Sequence, residues 1–249
     1  DPVDQPTVAF AMGDGAAATR LLGPALGSPL VYGAVGPAVA PGQLLVGDLS
    51  GVYRVKELGP ETLIFGLLGN PARHSIGPWL HNRAFRHVGK DSLYVALESS
   101  RPAEVLAALP RRQLGGMSVT APHTQLLARH CHRLDDHAEA TGAVNTLTFG
   151  AHGSGMGHNT DVAGIQAALR GAGAPDAPAG SGTHRAVVLG GGGTSRAAAV
   201  ALAEMGSRVM LQARRLEPVR EWCKARGCEL GGLRTDLLED FGPQVVLHP

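Results

Sequence analysis

The stretch from Ala186 to Arg215 holds the densest group of residues able to do chemistry. A short apolar run, Ala186 to Leu189, ends on four consecutive glycines, and an alanine-rich run of strong helix formers follows from Arg196 to Glu204. After Gly206, Arg208 to Gln212 reads as a second strand, so the unit is a βαβ of the expected length of roughly 30 residues. Glycines at such a turn let backbone N–H groups approach a pyrophosphate, whose charge is favoured by the positive end of the next helix. Dinucleotide contacts are expected from Gly190, Gly192, Gly193, Thr194 and Ser195. The second strand leads to Arg214 and Arg215, where a site for NAD would usually place an acidic residue on the ribose 2′-hydroxyl. The planar fork of arginine suits a 2′-phosphate instead, so the expected cofactor is NADP.

The elements that position these groups have the composition of a globular protein. The chain has 249 residues, 44% of them apolar and 17% charged, enough for one or two domains with proper cores. A formal charge of +1, with no run of Lys or Arg, argues against nucleic acid as a partner. Cys131, Cys223 and Cys228 form an odd set without CxxC pairs, so neither a disulfide framework nor a zinc site is indicated. A reducing, cytoplasmic location is the default. His130 and His132 near Cys131 stand two apart and so on different faces of a helix read over Gln125 to Arg133, and with His137 they suggest no metal site. Leu21 to Gly47 carries no charged residue and is long enough to cross a bilayer. Pro24, Pro29, Pro37 and Pro41 break it, so no membrane span is expected. The opening Asp-Pro-Val-Asp-Gln-Pro lacks an initiator Met, and the closing Gln-Val-Val-Leu-His-Pro stops on an expected core strand. Both read as the interior of a longer chain.

From the start, Thr7 to Met12 reads as a strand, Ala16 to Leu22 as a short helix, Leu30 to Val35 as a strand and Leu44 to Val55 as amphipathic. Two β-then-α units fit the last turns of a parallel α/β barrel. Leu58 to Thr62, with Gly59 and Pro60, reads as a linker. Strands at Leu63 to Leu68, Tyr94 to Leu97 and Gly116 to Val119 then alternate with helices opened by Pro78 and Pro102, as in a second parallel sheet.

Two resemblances emerge from these segments. Met12 to Arg20, the run Gly-Ser-Pro-Leu-Val-Tyr-Gly and Ala40-Pro41-Gly42-Gln43 resemble the C-terminal end of type I 3-dehydroquinate dehydratases. That resemblance implies that Arg20 and Gln43 grip a substrate carboxylate and hydroxyl, with the Schiff-base lysine upstream of Asp1. Where that family commonly carries a serine, this chain has Val39. Further on, Gly69-Asn70-Pro71-Ala72-Arg73-His74-Ser75-Ile76-Gly77-Pro78 and Gly116-Met117-Ser118-Val119-Thr120-Ala121-Pro122-His123-Thr124 resemble the two substrate loops of shikimate dehydrogenases. Gly142-Ala143-Val144-Asn145-Thr146, Gly157-His158-Asn159-Thr160-Asp161 and the tetraglycine turn come next, in that family's order. A dehydratase end joined to a dehydrogenase start is similar to the fused shikimate-pathway enzymes of plants and some bacteria.

The implied fold is α/β: two α/β domains, a substrate domain and a Rossmann NADP domain, preceded by the last βα units of a (βα)8 barrel. The boundaries read from sequence are 1–56 for the dehydratase remnant, 57–160 for the shikimate-binding domain and 161–249 for a truncated NADP domain. A polyol acid needs hydroxyl and amide groups to read its ring hydroxyls and carboxylate. The resemblance assigns Ser75, Ser118 and Thr120 to substrate binding, with Ser75 and Thr120 on the carboxylate side, and Asn145 and Asp161 to the ring hydroxyls, Asp161 also being catalytic. The implied reaction is the NADP-dependent interconversion of 3-dehydroshikimate and shikimate. Moving a hydride off an alcohol also requires a group for the hydroxyl proton. In the family that group is a lysine directly after the second loop, and here the position is Thr124. Neighbouring His123 has a suitable pKa class but would have to swing in from the adjacent position. Gly77 likewise stands where the first loop usually has a second serine. These departures leave two readings: an oxidoreductase, or a non-catalytic sensor of quinate or shikimate similar to the fungal quinate-pathway repressors.

Overall fold

A computed structural model describes residues 5–150 and 155–249; the first four residues of the opening run lie outside it. In chain order the elements are α1 (Ala17–Ala25), α2 (Val46–Gly51), β1 (Leu63–Gly69), α3 (Gly77–His87), β2 (Ser92–Glu98), α4 (Pro102–Ala108) and β3 (Leu114–Val119). Then come α5 (Thr124–Ala128), β4 (Arg133–Leu134), α6 (Asp136–Thr141), β5 (Thr146–Phe149), β6 (Gly155–His158) and α7 (Asp161–Gly171). The rest are β7 (His184–Leu189), α8 (Gly193–Glu204), β8 (Ser207–Gln212), α9 (Glu217–Arg226), β9 (Glu229–Gly231), α10 (Thr235–Phe241) and β10 (Val245–Leu247). They form two compact units, one of Asp1–His132 with Thr146–Met156, the other of Arg133–Asn145 with Gly157–Pro249.

In the first unit β1 is the central strand, parallel to β2 on one side and β3 on the other, and β5 runs antiparallel along β3. Ile64, Leu68, Leu93, Val95 and Met117 are deeply buried on its strands. β2 is an edge strand, which leaves one row of backbone groups to be satisfied without another strand. Asn82 of α3 does this at Tyr94: its Nδ2 donates to Tyr94 O at 2.8 Å, and its Oδ1 accepts from Tyr94 N at 2.9 Å. The same Nδ2 donates to Pro78 O at 2.7 Å, so one buried amide joins the start of α3 to the edge of the sheet.

The N-terminal segment keeps its helices and not its strands. Thr7 to Met12 is irregular and mostly exposed, and Leu30 to Val35 forms only an isolated bridge, Ala34 with Leu45. A parallel strand needs neighbours for its slanted hydrogen bonds and helices over both faces, and neither apolar run has them. α1 instead packs against β2, and Gln113 Nε2 donates to Ala25 O at 3.0 Å to fix its end. The helix read over Gln125 to Arg133 is cut to α5, because within it only Leu127 and Ala128 are buried.

The second unit holds a parallel sheet in the order β10-β7-β8-β9. β7 is buried on both faces: Ala186 and Val188 pack with Ala198, Ala199 and Leu202 of α8, and Val187 packs with Met210 and Phe241. The alanines of α8 give a thin helix face that lies close on the sheet, and Ala197 and Ala201 receive Val162 of α7 on the other side. No helix among the described residues is long and apolar enough to cross a membrane.

Replacing Asn82 by Leu leaves Tyr94 N–H and C=O buried without partners, a loss of about 2 to 4 kcal/mol. Urea unfolding of the two proteins compared side by side checks this; a change below about 1 kcal/mol would show that water reaches the strand edge.

Candidate substrate and dinucleotide site

The substrate-loop residues of the first unit stand at the C-terminal ends of its parallel strands. Ser75 lies in the loop after β1, Ser118 within β3, Thr120 just beyond it and Thr124 at the first position of α5. The loops approach closely because residue 69 has no side chain: a Cβ on Gly69 would sit 2.4 Å from Thr120 Cγ2. Glu98, at the end of β2, ties down the first loop by accepting from Ala72 N at 2.9 Å and Arg73 N at 3.2 Å, and it pairs with the Arg73 guanidinium at 3.3 Å. The Ala72 amide, more than any other group, holds the Glu98 carboxyl below the usual glutamate range, with the Arg73 amide and charge acting in the same direction. Ser75 Oγ accepts from Gly77 N at 3.0 Å.

Ser118 is not alone on its strand. Tyr94, 5% exposed, donates its phenol hydroxyl to Ser118 Oγ at 3.0 Å, and its ring stacks on His81 at 4.3 Å. Burial raises the Tyr94 pKa, partly offset by the Ser118 bond, so the phenol is a donor at neutral pH. A Cβ on Gly77 would meet Ser75 Oγ at 3.0 Å and the Tyr94 ring at 3.3 Å. Where a serine would project from position 77, the space is thus taken by the Ser75 hydroxyl and the Tyr94 ring edge. Ser75, Gly77, Tyr94 and Ser118 form one hydroxyl-rich cluster.

In the second unit Asn145 and Asp161 meet directly, Asn145 Nδ2 donating to Asp161 Oδ1 at 2.7 Å. Asn145 Oδ1 accepts from Thr160 N at 3.1 Å, and Asn145 N donates to His158 O at 3.0 Å, so the amide is held at both ends. Asn159, 2% exposed, locks the turn before α7 by donating to Thr141 Oγ1 and Ala143 O while accepting from Asp161 N at 3.1 Å.

The glycine turn of the same unit has the shape a pyrophosphate requires. Gly190 has φ 134, and a Cβ there would stand 2.4 Å from Ser195 Oγ, so only glycine fits. Gly192 is the N-cap of the twelve-residue α8, with no side-chain oxygen on its first amides. Strand β8 ends at Gln212, two residues before the arginines, and Gly190 N donates to Gln212 O at 2.8 Å. Arg214 and Arg215 are exposed, and among the described residues neither has an ion-pair partner. Residues 190–195, 214 and 215 fit a phosphorylated dinucleotide.

Residues 67–147 match the shikimate dehydrogenase substrate binding domain and residues 1–60 match type I 3-dehydroquinase. The matched segments make the chain similar to shikimate dehydrogenases, behind a segment similar to type I 3-dehydroquinases. It is 33% identical over 250 residues to the bifunctional 3-dehydroquinate dehydratase/shikimate dehydrogenase, chloroplastic, of Arabidopsis thaliana, an alignment covering 96% of this chain and 41% of that protein. It is 39% identical over 166 residues to shikimate dehydrogenase (NADP(+)) of Anaeromyxobacter sp. (strain K), covering 66% of this chain and 57% of that one. The chain therefore spans about two fifths to three fifths of these relatives. Among solved structures it is similar to shikimate 5-dehydrogenase of Thermus thermophilus in complex with NADP(H) and shikimate, with TM-score 0.60, 28% identity and coverage of 75% of this chain and 68% of that chain.

Three neighbours of the candidate site residues escaped the sequence reading. Tyr94, Asn82 and Glu98 act on residues 12 to 26 positions away; Tyr94 and Asn82 sit in runs that read only as strand or helix, and Glu98 directly follows one. His123 is 3% exposed with Nε2 2.7 Å from Ser99 O, so it is held away from the neighbouring Thr124 position rather than free to swing. In the dehydroquinase segment, Arg20 is 4% exposed, its guanidinium lying 4.0 Å over the Phe10 ring and donating to Met12 sulfur. Gln43 Oε1 accepts from Val39 N at 3.1 Å. No group of three or more His, Cys, Asp or Glu able to hold a metal occurs among the described residues.

Because the Glu98 pKa is depressed in the folded chain, the stability from its bonds to the first loop is fully present above the ordinary glutamate range. It is lost as pH falls through the lower folded value. The stability gap between the natural chain and Glu98→Gln should therefore be constant from neutral pH down to about 5 and shrink below it. Chemical denaturation at a series of pH values tests this, and a gap that widens on acidification would refute it.

Proposed function

We propose that the chain is the dehydrogenase-side part of a fused shikimate-pathway enzyme, interconverting 3-dehydroshikimate and shikimate with NADP. The observation that carries this reading is the Asn145–Asp161 pair, in the same unit as a glycine turn followed by two exposed arginines. The printed names of the relatives support it: NADP(+) is named for the Anaeromyxobacter enzyme, and NADP(H) with shikimate for the Thermus structure. Bound NADP supplies the hydride acceptor. Gly190, Gly192, Gly193, Thr194 and Ser195 take the pyrophosphate, and Arg214 and Arg215 take the 2′-phosphate. Ser75, Ser118 and Thr120, with Tyr94, bind the carboxylate side of the substrate. Asn145 and Asp161 bind its ring hydroxyls.

The alcohol proton is the demanding part of the chemistry. Thr124 has no group that titrates near neutral pH, and His123 is committed to the Ser99 carbonyl. Asp161 accepts one bond from Asn145, and a carboxylate has about four lone-pair sites, so it retains acceptor capacity for a substrate hydroxyl. Asp161 is the residue assigned to receive the proton. Without the lysine, turnover is slower by about 10²- to 10⁴-fold, the usual worth of a general acid–base group.

One observation favours the second reading, a binder of quinate or shikimate without turnover: position 124 carries a threonine, and the adjacent His123 is buried against the Ser99 carbonyl. Assay of NADP+ reduction with shikimate at high protein concentration separates the two. Measurable turnover that rises about 10²-fold or more in Thr124→Lys supports the enzyme. Turnover that is absent in the natural chain and present only in Thr124→Lys identifies a binder. The three free thiols suit a reducing compartment, and we assign the chain to the cytoplasm; the Arabidopsis relative is named as chloroplastic.

Replacing Arg214 by Ala removes one charge-assisted contact and should weaken NADP+ binding by roughly 10- to 100-fold while leaving NAD+ within about twofold. Calorimetric titration with both nucleotides is the check, and equal losses for the two would remove the 2′-phosphate assignment.

A further inference from the structure

In the second unit three long side chains converge on the last turn of α6. Arg226, at the end of α9, donates from Nη2 to Glu139 O at 3.0 Å. Trp222, one turn earlier on the same helix, donates from Nε1 to Ala140 O at 3.0 Å. Arg196, in the first turn of α8 and 8% exposed, donates to Pro218 O at 3.1 Å and holds its guanidinium 5.4 Å from the Trp222 ring centroid. It also packs on Gly142, where a Cβ would meet its Nη1 at 3.4 Å. Gly142, with φ 64, is the left-handed cap that ends α6. The last carbonyls of a helix lack partners within it and carry partial negative charge, so donors on cationic side chains suit them.

The residues with chemistry to offer lie immediately beyond that turn. Ala143, Val144 and Asn145 come directly after Gly142, and Thr141 and Ala143 are laced to Asn159, which in turn accepts from Asp161 N. The end of α6 is therefore the fixed point from which Asn145 reaches Asp161. The other end of the clamp starts at the glycine turn, because Arg196 N donates to Gly192 O at 3.0 Å and so lies one helical turn from the cap that would meet the pyrophosphate. α6 and α8 also pack against one another directly. A rigid helix carries a displacement of its first residues to Arg196, and Arg196 touches both Trp222 and Gly142.

We infer that Arg196, Trp222 and Arg226 are positioning residues that tie the placement of the Asn145–Asp161 pair to occupancy of the glycine turn, so that the dinucleotide and the polyol acid bind with positive coupling. This rests on the reading of Asn145 and Asp161 as ring-hydroxyl binders. The coupling is a ratio of affinities and acts reciprocally on both ligands. Side chains that only braced the fold would change stability and leave that ratio alone.

The test uses the full chain, with Trp222→Phe, which removes the indole donor and keeps an aromatic ring, and Arg226→Met on the exposed face of α9. Two quantities are measured: hydrogen exchange over residues 139–146, and the shikimate Kd with and without saturating NADP+ by calorimetry. In the natural chain NADP+ should tighten shikimate binding. Each variant should lower that ratio by about two- to tenfold, the worth of one hydrogen bond, and leave the NADP+ Kd alone within about twofold. Exchange at 139–146 should rise by a similar factor. Faster exchange with an unchanged ratio shows a structural brace and overturns the proposal, as does a natural chain that binds both ligands independently. Unchanged exchange in both variants shows that the turn is held by something else and overturns it too. If the natural chain binds NADP+ and no shikimate, the functional reading falls and the coupling with it, while the exchange arm still reports whether the clamp exists, so the two failures are distinct. Should Trp222→Phe fail to fold, Arg226→Met alone decides.

Discussion

Backbone groups that leave regular structure must find a partner, and several in this chain find it in side-chain amides and carboxylates that also set the candidate site. A buried unpaired N–H or C=O costs about 1 to 3 kcal/mol, comparable with the net effect of most single contacts. Asn82 meets that demand at the edge of β2, Glu98 at the first loop, Asp135 at the N-cap of α6 and Asn159 ahead of α7. Each bond that removes an orphan also fixes a residue with chemistry to offer. Asn82 sets Tyr94, Glu98 sets the loop carrying Ser75, and Asn159 sets Asp161. Polar satisfaction and site geometry are the same set of interactions.

This explains which parts were legible in the sequence. The βαβ around the glycine turn was readable because its determinants are local: apolar strands, consecutive glycines and an alanine-rich helix within one short span. Asn145 and Asp161 were readable through their motifs, although nothing in those motifs states that the two side chains touch. Tyr94 was not readable. It sits in Ser92-Leu93-Tyr94-Val95 as an ordinary β-former, and its role comes from Ser118, 24 positions away, and from the parallel pairing of β1 with both β2 and β3. The N-terminal strands failed for the complementary reason. Their apolar composition is right, but a strand is a relation between neighbours, and Thr7 to Met12 is mostly exposed and unpaired.

The two departures from the family pattern are not equivalent. At position 77 the lost serine is answered in space, since the Tyr94 ring and the Ser75 hydroxyl close over the glycine and keep hydroxyl donors at hand. At position 124 nothing comparable occurs. A threonine hydroxyl can hold a hydrogen bond but cannot carry a charge or exchange a proton near neutrality, and the one imidazole beside it is turned onto the Ser99 carbonyl. Recognition of a polyol acid asks for neutral donors and acceptors in fixed places, and each unit by itself holds such groups. Transfer of a proton asks for a group whose two protonation states are both accessible.

On the proposed reading, binding and turnover draw on separable parts of this molecule. Binding groups are numerous and mutually braced, so losing one removes a single hydrogen bond among several. The proposed proton transfer rests on Asp161, whose carboxylate is already oriented by Asn145, and Asn145 is in turn held by Thr160 N and by the His158 carbonyl. A carboxylate held this way keeps its direction whether or not substrate is present, which favours preorganisation over reorganisation at the moment of reaction. The consequence of a threonine at position 124 is thus narrow: it takes a proton carrier out of the proposed site and leaves the hydrogen-bonded framework around it as it was.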